Sequence, residues 1–470
     1  MKLNKIIALL FALTIVAPVF CEDDNQNEKI FDQTENYSYT KKDFRHISIA
    51  FTEVLLDNLI VNAYGRMVMK ADYAKIDIDT MWDNITHAWV WDQDRFLMNQ
   101  LGHPLQGSFY HVAARANGMN YYEGLGLSLT GSFLWEELME NSRPSLNDVV
   151  TTPIAGSILG EIFHRLYCEV LNKNQFLAFF VSPQDGFNFF ITGDRPVAPN
   201  DHISDISLYF GGGVSGGKIS NSELLSSKNN IVPSFGGGMR LIYGEPYRKR
   251  FTEPFSQFNV TFFGHGMPGD FEAELFTDGM LFAGTTSSKQ TYTSFGMNLI
   301  YEFIYANDIN YAKTGLGFSL KQENLISDET SLRWNANVNA NLMGGSENYY
   351  LNSQEKFYSE NGLEQRLYNL GLGGGAYINA EFENKKAGLL RLAANVNGLW
   401  YIPPAIQDEG SEGGALVFFC QADYEHKVYK NWWLGASVFY YHKNDFYKEL
   451  EDIQQDYFRA GLYILKKFGD

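Results

Sequence analysis

The chain changes the period of its apolar residues partway along, and the second period fixes what that half can become. Leu332, Trp334, Ala336, Val338, Ala340 and Leu342 alternate with Arg333, Asn335, Asn337, Asn339 and Asn341. Successive side chains of a β-strand point to opposite faces, so this segment has one apolar face and one suited to water. Phe258, Val260 and Phe262 against Asn259 and Thr261, and Phe271, Ala273 and Leu275 against Glu272 and Glu274, repeat the pattern. A transmembrane barrel needs strands with a polar inside and an apolar outside. A soluble sandwich or jelly roll also alternates, but the polar face here is itself rich in Asn, Glu and Lys.

Candidate strands fall near 202–212, 234–244, 255–264, 270–283, 290–304, 310–322, 330–343, 366–382, 386–402, 413–427, 432–443 and 455–468. That is an even number, as a single-chain bacterial barrel requires. Several exceed the ~9–11 residues that cross the hydrocarbon, so strands should extend beyond it. Turns such as Tyr429 to Asn431 would be short and periplasmic, whereas 344–365 and 403–413 would be long external loops. The last segment, DYFRAGLYILKKFGD, resembles the closing strand that barrel-assembly machinery recognises, although Gly469 and Asp470 follow Phe468.

The N-terminal stretch carries Lys2 and Lys5 and then an apolar run from Ile6 to Val16, which reads as a signal peptide over 1–21 cleaved after Cys21; the alternative is a lipoprotein signal at Cys21, against which Phe20 stands where a small residue is wanted. A polar, disordered linker over 22–41 is expected next. Beyond the signal no run approaches the ~18 apolar residues of a spanning helix, so membrane entry would be by strands. A net charge of −18 argues against a nucleic-acid partner, which would need a basic stripe. Aromatic residues make up 15% of the chain and glycines number 43, as suits girdled membrane strands. Cys168 and Cys420 lie in different segments without metal-ligand spacing, and free buried thiols are expected.

Between 42 and 200 the apolar residues recur at helical spacing: Ile49, Phe51, Val54, Leu55 and Leu59, then Ile154, Ile158, Leu159, Ile162, Phe163 and Leu166. Asn147 or Asp148 would cap the later helix. The expected fold is therefore α+β, a small helical domain over 42–200 followed by an antiparallel transmembrane β-barrel over 201–470. The run GGGVSGGK at 211–218 imitates a phosphate loop and a nucleophile elbow. Ile219 stands where the first needs Ser or Thr, and neither a helix nor a strand-to-helix turn follows. Glycines at a strand end, where backbones come close, explain it.

Residues 80–195 hold an ordered set that includes Trp82, Trp91, Asp92, Asp94, Asn99, Gln100, His103, Pro104, Gly107, Arg115, Trp135, Glu136, Glu140, Asn147, Asp148, Gly156, Gly160, Glu161 and Arg165. On these residues the chain resembles the bacterial family called domain of unknown function 3943. The resemblance implies an exported protein joining a helical module to a β-rich C-terminal region, and it supplies no chemistry.

Unaided, the residues place His103, Gly107, His111 and Arg115 on one helical face, Ser132, Glu136 and Glu140 on a second, and Glu161 and Arg165 on a third. Facing one another, these stripes would form one shared polar interior. A structural reading makes it a buried ion-pair network, with Gly107, Gly156 and Gly160 allowing close approach. In a functional reading His103, Glu136 and Glu161 are catalytic, while Arg115, Arg165, His111, Glu140, Asn99 and Gln100 hold a ligand such as a lipid phosphate. A metal is not expected, because Glu161 and His164 lack the second Glu-x-x-His pair of di-iron bundles, and no cofactor is expected. The resulting expectation is a non-enzymatic outer-membrane protein of a diderm bacterium, working in passage, anchoring or envelope organisation. Its helical module would lie in the periplasm or fill the lumen, and its partners would be outer-membrane lipid and the assembly machinery. The alternative is an enzyme acting on envelope lipid or glycolipid.

Overall fold

The computed structural model describes residues 38–219, 231–268, 270–306, 309–353, 366–402 and 412–468. They divide into two units, one up to Asn200 and one from Asp201. The expected signal peptide and most of the expected linker lie outside the described residues. The linker's last residues are not disordered: Thr40 N donates to Arg195 O at 2.8 Å and Arg195 N to Ser38 O at 2.9 Å.

The first unit contains α1 (Phe44–Tyr64), α2 (Ile78–Thr86), α3 (His103–Ala116), α4 (Tyr121–Leu138), α5 (Asp148–Leu171), α6 (Gln175–Val181) and α7 (Pro183–Thr192). Side chains that satisfy orphan amides start several of them. Asp43 accepts from His46 N at α1, and Asn120 and Glu123 form a reciprocal capping box at α4. Asn147 precedes α5 but does not cap it with its side chain, contrary to the sequence expectation. That side chain instead donates to Asp148 Oδ1 at 3.0 Å and accepts from Asp92 N at 3.1 Å.

Helices α3 and α5 pack backbone to backbone. A Cβ on Gly107 would lie 1.9 Å from Thr152 O, and one on Gly156 would lie 2.6 Å from Gly107 Cα. Glycine is the one residue that permits this crossing.

Polarity on α1 is partly inverted, with Ala50 and Val54 buried beside polar groups. Glu53, Asn58 and Asn62 are buried, whereas Phe51, Leu55 and Leu59 are exposed. Together with the π-turn that continues it, the helix Phe44–Met69 is long and apolar enough to cross a membrane by length and composition. The sequence reading expects no such run beyond the signal; Glu53 and Asp57 lie within this one. Their face is turned into the helical unit.

The second unit is a closed antiparallel barrel of twelve strands: β1 (Ile203–Ile219), β2 (Val232–Tyr243), β3 (Phe258–Met267), β4 (Asp270–Ser287), β5 (Thr291–Ala306), β6 (Ile309–Ser327), β7 (Thr330–Glu347), β8 (Tyr368–Asn384), β9 (Gly388–Ile402), β10 (Gly413–Tyr429), β11 (Trp432–Tyr447) and β12 (Ile453–Phe468). A short helix, α8 (Tyr349–Ser353), follows β7. Each strand pairs with its neighbours in sequence, and β1 closes on β12 from Ile206 opposite Phe468 to Ile219 opposite Gln455. The glycine run lies inside β1, over its second half, and does not follow the strand's end at 212 as expected. A Cβ on Gly213 would sit 2.0 Å from Ala460 O, so the run permits close approach in the closing seam.

Asn335, Asn337, Asn339 and Asn341 point inward and are buried, while Val338 between them is exposed on the outside. Val396, Leu392, Leu416, Val438 and Leu462 continue the exposed apolar exterior. The turns after β4, β6, β8 and β10 are short and share one rim, and the long connections after β7 and β9 lie at the other. The connection after β2, 244–257, is a long one on the short-turn rim. Cys168 and Cys420 are both free, and Cys420 is half-exposed where burial was expected.

Replacing Gly107 with Val would force α3 off α5 and cost about 3 kcal/mol. Helical circular dichroism should melt at lower temperature, while the barrel keeps its heat-modifiable migration on gels.

Candidate functional site

The stripes of α3, α4 and α5 do not converge on one interior. They form two separate clusters with opposite electrostatic character.

The first cluster centres on Glu161 of α5. Its carboxylate accepts from Arg115 Nε at 2.8 Å and Nη2 at 3.3 Å and from Arg165 Nε at 2.9 Å, and His111 Nε2 lies 3.0 Å away. Arg115 also donates to Met119 O at 2.6 Å. Glu161, His111 and Arg165 are wholly buried. Burial would raise the Glu161 pKa, but the two guanidinium groups and His111 hold it well below the usual range. Burial likewise lowers His111. The anion that Arg115 and Arg165 grip is thus Glu161 itself, which leaves the expected ligand-binding role to other groups. His164 turns away to Asp185, with Nδ1 2.8 Å from Oδ1, so Glu161 and His164 do not share a metal.

The second cluster gathers Asp92, Asp94, His103, Glu136, Glu140 and Asp148. The segment 88–102 carries the two aspartates to the start of α3. A parallel bridge between Val90 and Ser145 fixes that segment to the loop before α5. Ser145 N donates to Glu136 Oε2 at 2.7 Å, and Asn84 holds the carbonyls of Glu136 and Glu140 at 3.1 and 2.8 Å. Asn99, a predicted ligand-binding residue, donates to Asp92 Oδ1 at 2.8 Å, and its neighbour Gln100 is buried. His103 Nε2 lies 3.6 Å from Asp148 Oδ2 and 3.8 Å from Asp94 Oδ2. Burial would lower the His103 pKa, but Asp94, Glu136 and Asp92 raise it to about 9. Burial, reinforced by neighbouring carboxyls, lifts Glu136 and Asp148 well above the carboxylate range and Glu140 to about 8. Glu140 lies beyond the end of α4, so the stripe drawn from it was one residue pair too long.

The barrel lumen is laced by its own side chains. Strands β4 and β10 stand on opposite walls, six places apart in the ring, and Phe276 meets Phe419 with centroids 5.7 Å apart. Arg240 of β2 pairs with Asp423 of β10 at 3.2 Å, Tyr377 of β8 donates to Asp278 of β4 at 2.7 Å, and Asn395 of β9 to Glu302 of β5 at 2.8 Å. A cavity of about 240 Å³ remains, lined by groups that include Arg240, Asp278, Glu302, Arg391 and Phe419.

Sequence spacing missed Asp92, Asp94 and Asp148 as members of a site because they lie outside helical stripes.

Residues 88–183 match the family model Domain of unknown function (DUF3943). The DUF3943 segment contains both clusters and ends at Pro183, the first residue of α7. No curated protein matches the chain. Among solved structures, the chain is similar to an outer membrane channel of Pseudomonas putida F1 at 10% identity and TM-score 0.30, covering 57% of this chain and 95% of that one. The Pseudomonas putida toluene transporter TodX gives 7% identity and TM-score 0.24, over 58% and 90% of the two chains. The outer membrane protease OmpT of Escherichia coli gives 8% and 0.19, over 56% and 97%. At such scores the architecture rests on the barrel's own strand register.

Two predictions follow from the buried acids of the helical unit. Glu161→Gln leaves the buried Arg165 and the largely buried Arg115 without their counter-ion and should cost about 3–5 kcal/mol, read as a lower melting temperature of the helical signal. Burial raises Glu53 to about 8 despite the Asn188 and Gln184 amides, and raises Asp57 to about 7. Both folded values exceed those of an unfolded chain, so their stabilisation is whole below about pH 4 and is lost as pH rises through 7 and 8. The helical unit should melt at lower temperature at pH 8.5 than at pH 5, with a smaller difference in Asp57→Asn. A midpoint that rises over this range would contradict the assignment.

Proposed function

We propose that this chain is a non-enzymatic outer-membrane protein whose barrel is an anchor closed by its own lumen side chains, serving envelope organisation. The observation that carries the reading is the polarity of the strands: Val338, Leu392 and Val396 are exposed outside while the asparagines between and beside them are buried inside. Such an exterior suits hydrocarbon, and outer-membrane lipid is the solvent we assign to it. Export by a cleaved signal peptide and insertion by barrel-assembly machinery belong to the same reading. Passage of a solute would first require the contacts between Phe276 and Phe419, and between Arg240 and Asp423, to part.

A second reading, an enzyme acting on envelope lipid or glycolipid, draws on the second cluster, where His103 stands among carboxyls and Asp94 is exposed. Glu161, Arg115 and Arg165 do not serve it, being bound to one another.

Purified protein in a planar bilayer tests the anchor. Conductance should stay near baseline, and Phe276→Ala combined with Phe419→Ala should raise it. Large steady steps from the unaltered protein would overturn a closed lumen. Val396→Arg places a charge at mid-strand on the lipid side and should weaken folding into bilayers by about 2–4 kcal/mol, measured by urea titration.

A further inference from the structure

We infer that Asp92, Asp94 and His103 form a binding site for one divalent transition-metal ion, with Asp148 beside it. One ligand atom from each of the three lies within 4.8 Å of the other two. Ligands on opposite sides of a first-row ion stand about 4 Å apart, so a small contraction brings all three into its first shell.

Acidity alone would not make this a site. The independent observation is His103: it is 6% exposed, and its Nε2 has no hydrogen-bond partner. That atom is aimed among carboxylate oxygens, with Asp148 Oδ2 and Asp94 Oδ2 at 3.6 and 3.8 Å, each beyond hydrogen-bond range. A buried imidazole nitrogen left short of every acceptor is the geometry of a ligand awaiting an ion between the groups.

The surroundings complete the argument. Among the described residues, Asp94 and Asp148 have His103 as ion-pair partner and no Lys or Arg pairs with them, Glu136 or Glu140, so a divalent ion that displaces the protons held here would supply positive charge that no fixed cation does. Asn99 donates to Asp92 Oδ1, and Asn147 donates to Asp148 Oδ1, holding both carboxylates in orientation as outer-shell groups do. Asp94 is 54% exposed at its side chain and offers an entry from solvent. One imidazole among several carboxylates suits borderline Zn²⁺ or the harder Mn²⁺, over a soft ion that wants thiolate. Bound there, the ion would tie the segment before α3 to the loop before α5.

The test uses the full chain, untagged, in detergent and stripped with EDTA. Calorimetric titration with ZnCl₂ and MnCl₂ should give one ion per chain. Asp94→Asn, a half-exposed change that spares the fold, should weaken Zn²⁺ at least 10-fold, and His103→Gln about 100-fold. Zn²⁺ should also raise the melting temperature of the helical signal in the unaltered protein and less so in Asp94→Asn. Absence of saturable binding by the unaltered chain, or binding that both variants leave unchanged, would overturn the site.

Discussion

Closure of β1 on β12 is the constraint on which the barrel depends. A strand in hydrocarbon has no water to satisfy its N–H and C=O groups, so an open edge there is untenable. The closing ladder runs the length of the seam from Ile206 to Ile219. Gly211 and Gly213 keep the neighbouring backbone of β12 within reach, where a side chain would collide with it. Once the ring is shut, the period of two dictates the rest: every second residue meets the exterior and the others must share the lumen.

The lumen then imposes its own demand. Charged groups there are far from bulk water and persist only when paired. Arg240 with Asp423, Arg391 with Glu381 and Lys443 with Asp445 meet that demand, and the Phe276–Phe419 contact crosses the lumen beside the cavity that remains. The same rule governs the helical unit, where Glu161 is matched by Arg115 and Arg165. The cluster around His103 meets it differently: burial raises Glu136, Glu140 and Asp148, so they hold protons where Glu161 has guanidinium groups. A divalent ion that displaced those protons would put positive charge there instead.

The barrel was legible in the sequence because its signal is local. The Asn335 to Asn341 ladder announces its face residue by residue, and the twelve strand positions follow from such ladders. What the ladders do not carry is how far each strand extends, so the glycine run after Phe210 read as an end when it lies within β1. The helical unit was less legible. Stripes drawn on α3, α4 and α5 named Glu136, His103 and Glu161 but joined them in one interior, since spacing along a helix says nothing about its rotation against a neighbour. Asp92, Asp94 and Asp148 enter the site through a loop and a helix start, which have no period to read. The partly inverted α1 was missed for a related reason: its apolar stripe predicts a helix, and which face turns inward depends on the partners Gln184 and Asn188, more than 130 residues away.

The central claim, that apolar residues face lipid and the laced polar ones face a closed lumen, is tested most directly by spin-label scanning of β9 in membranes, with the native cysteines replaced. Labels at 392, 394, 396 and 398 should collide freely with oxygen and hardly at all with a water-soluble nickel chelate. Labels at 393, 395 and 397 should be shielded from both. Loss of this alternation, or chelate access at 396, would contradict the account.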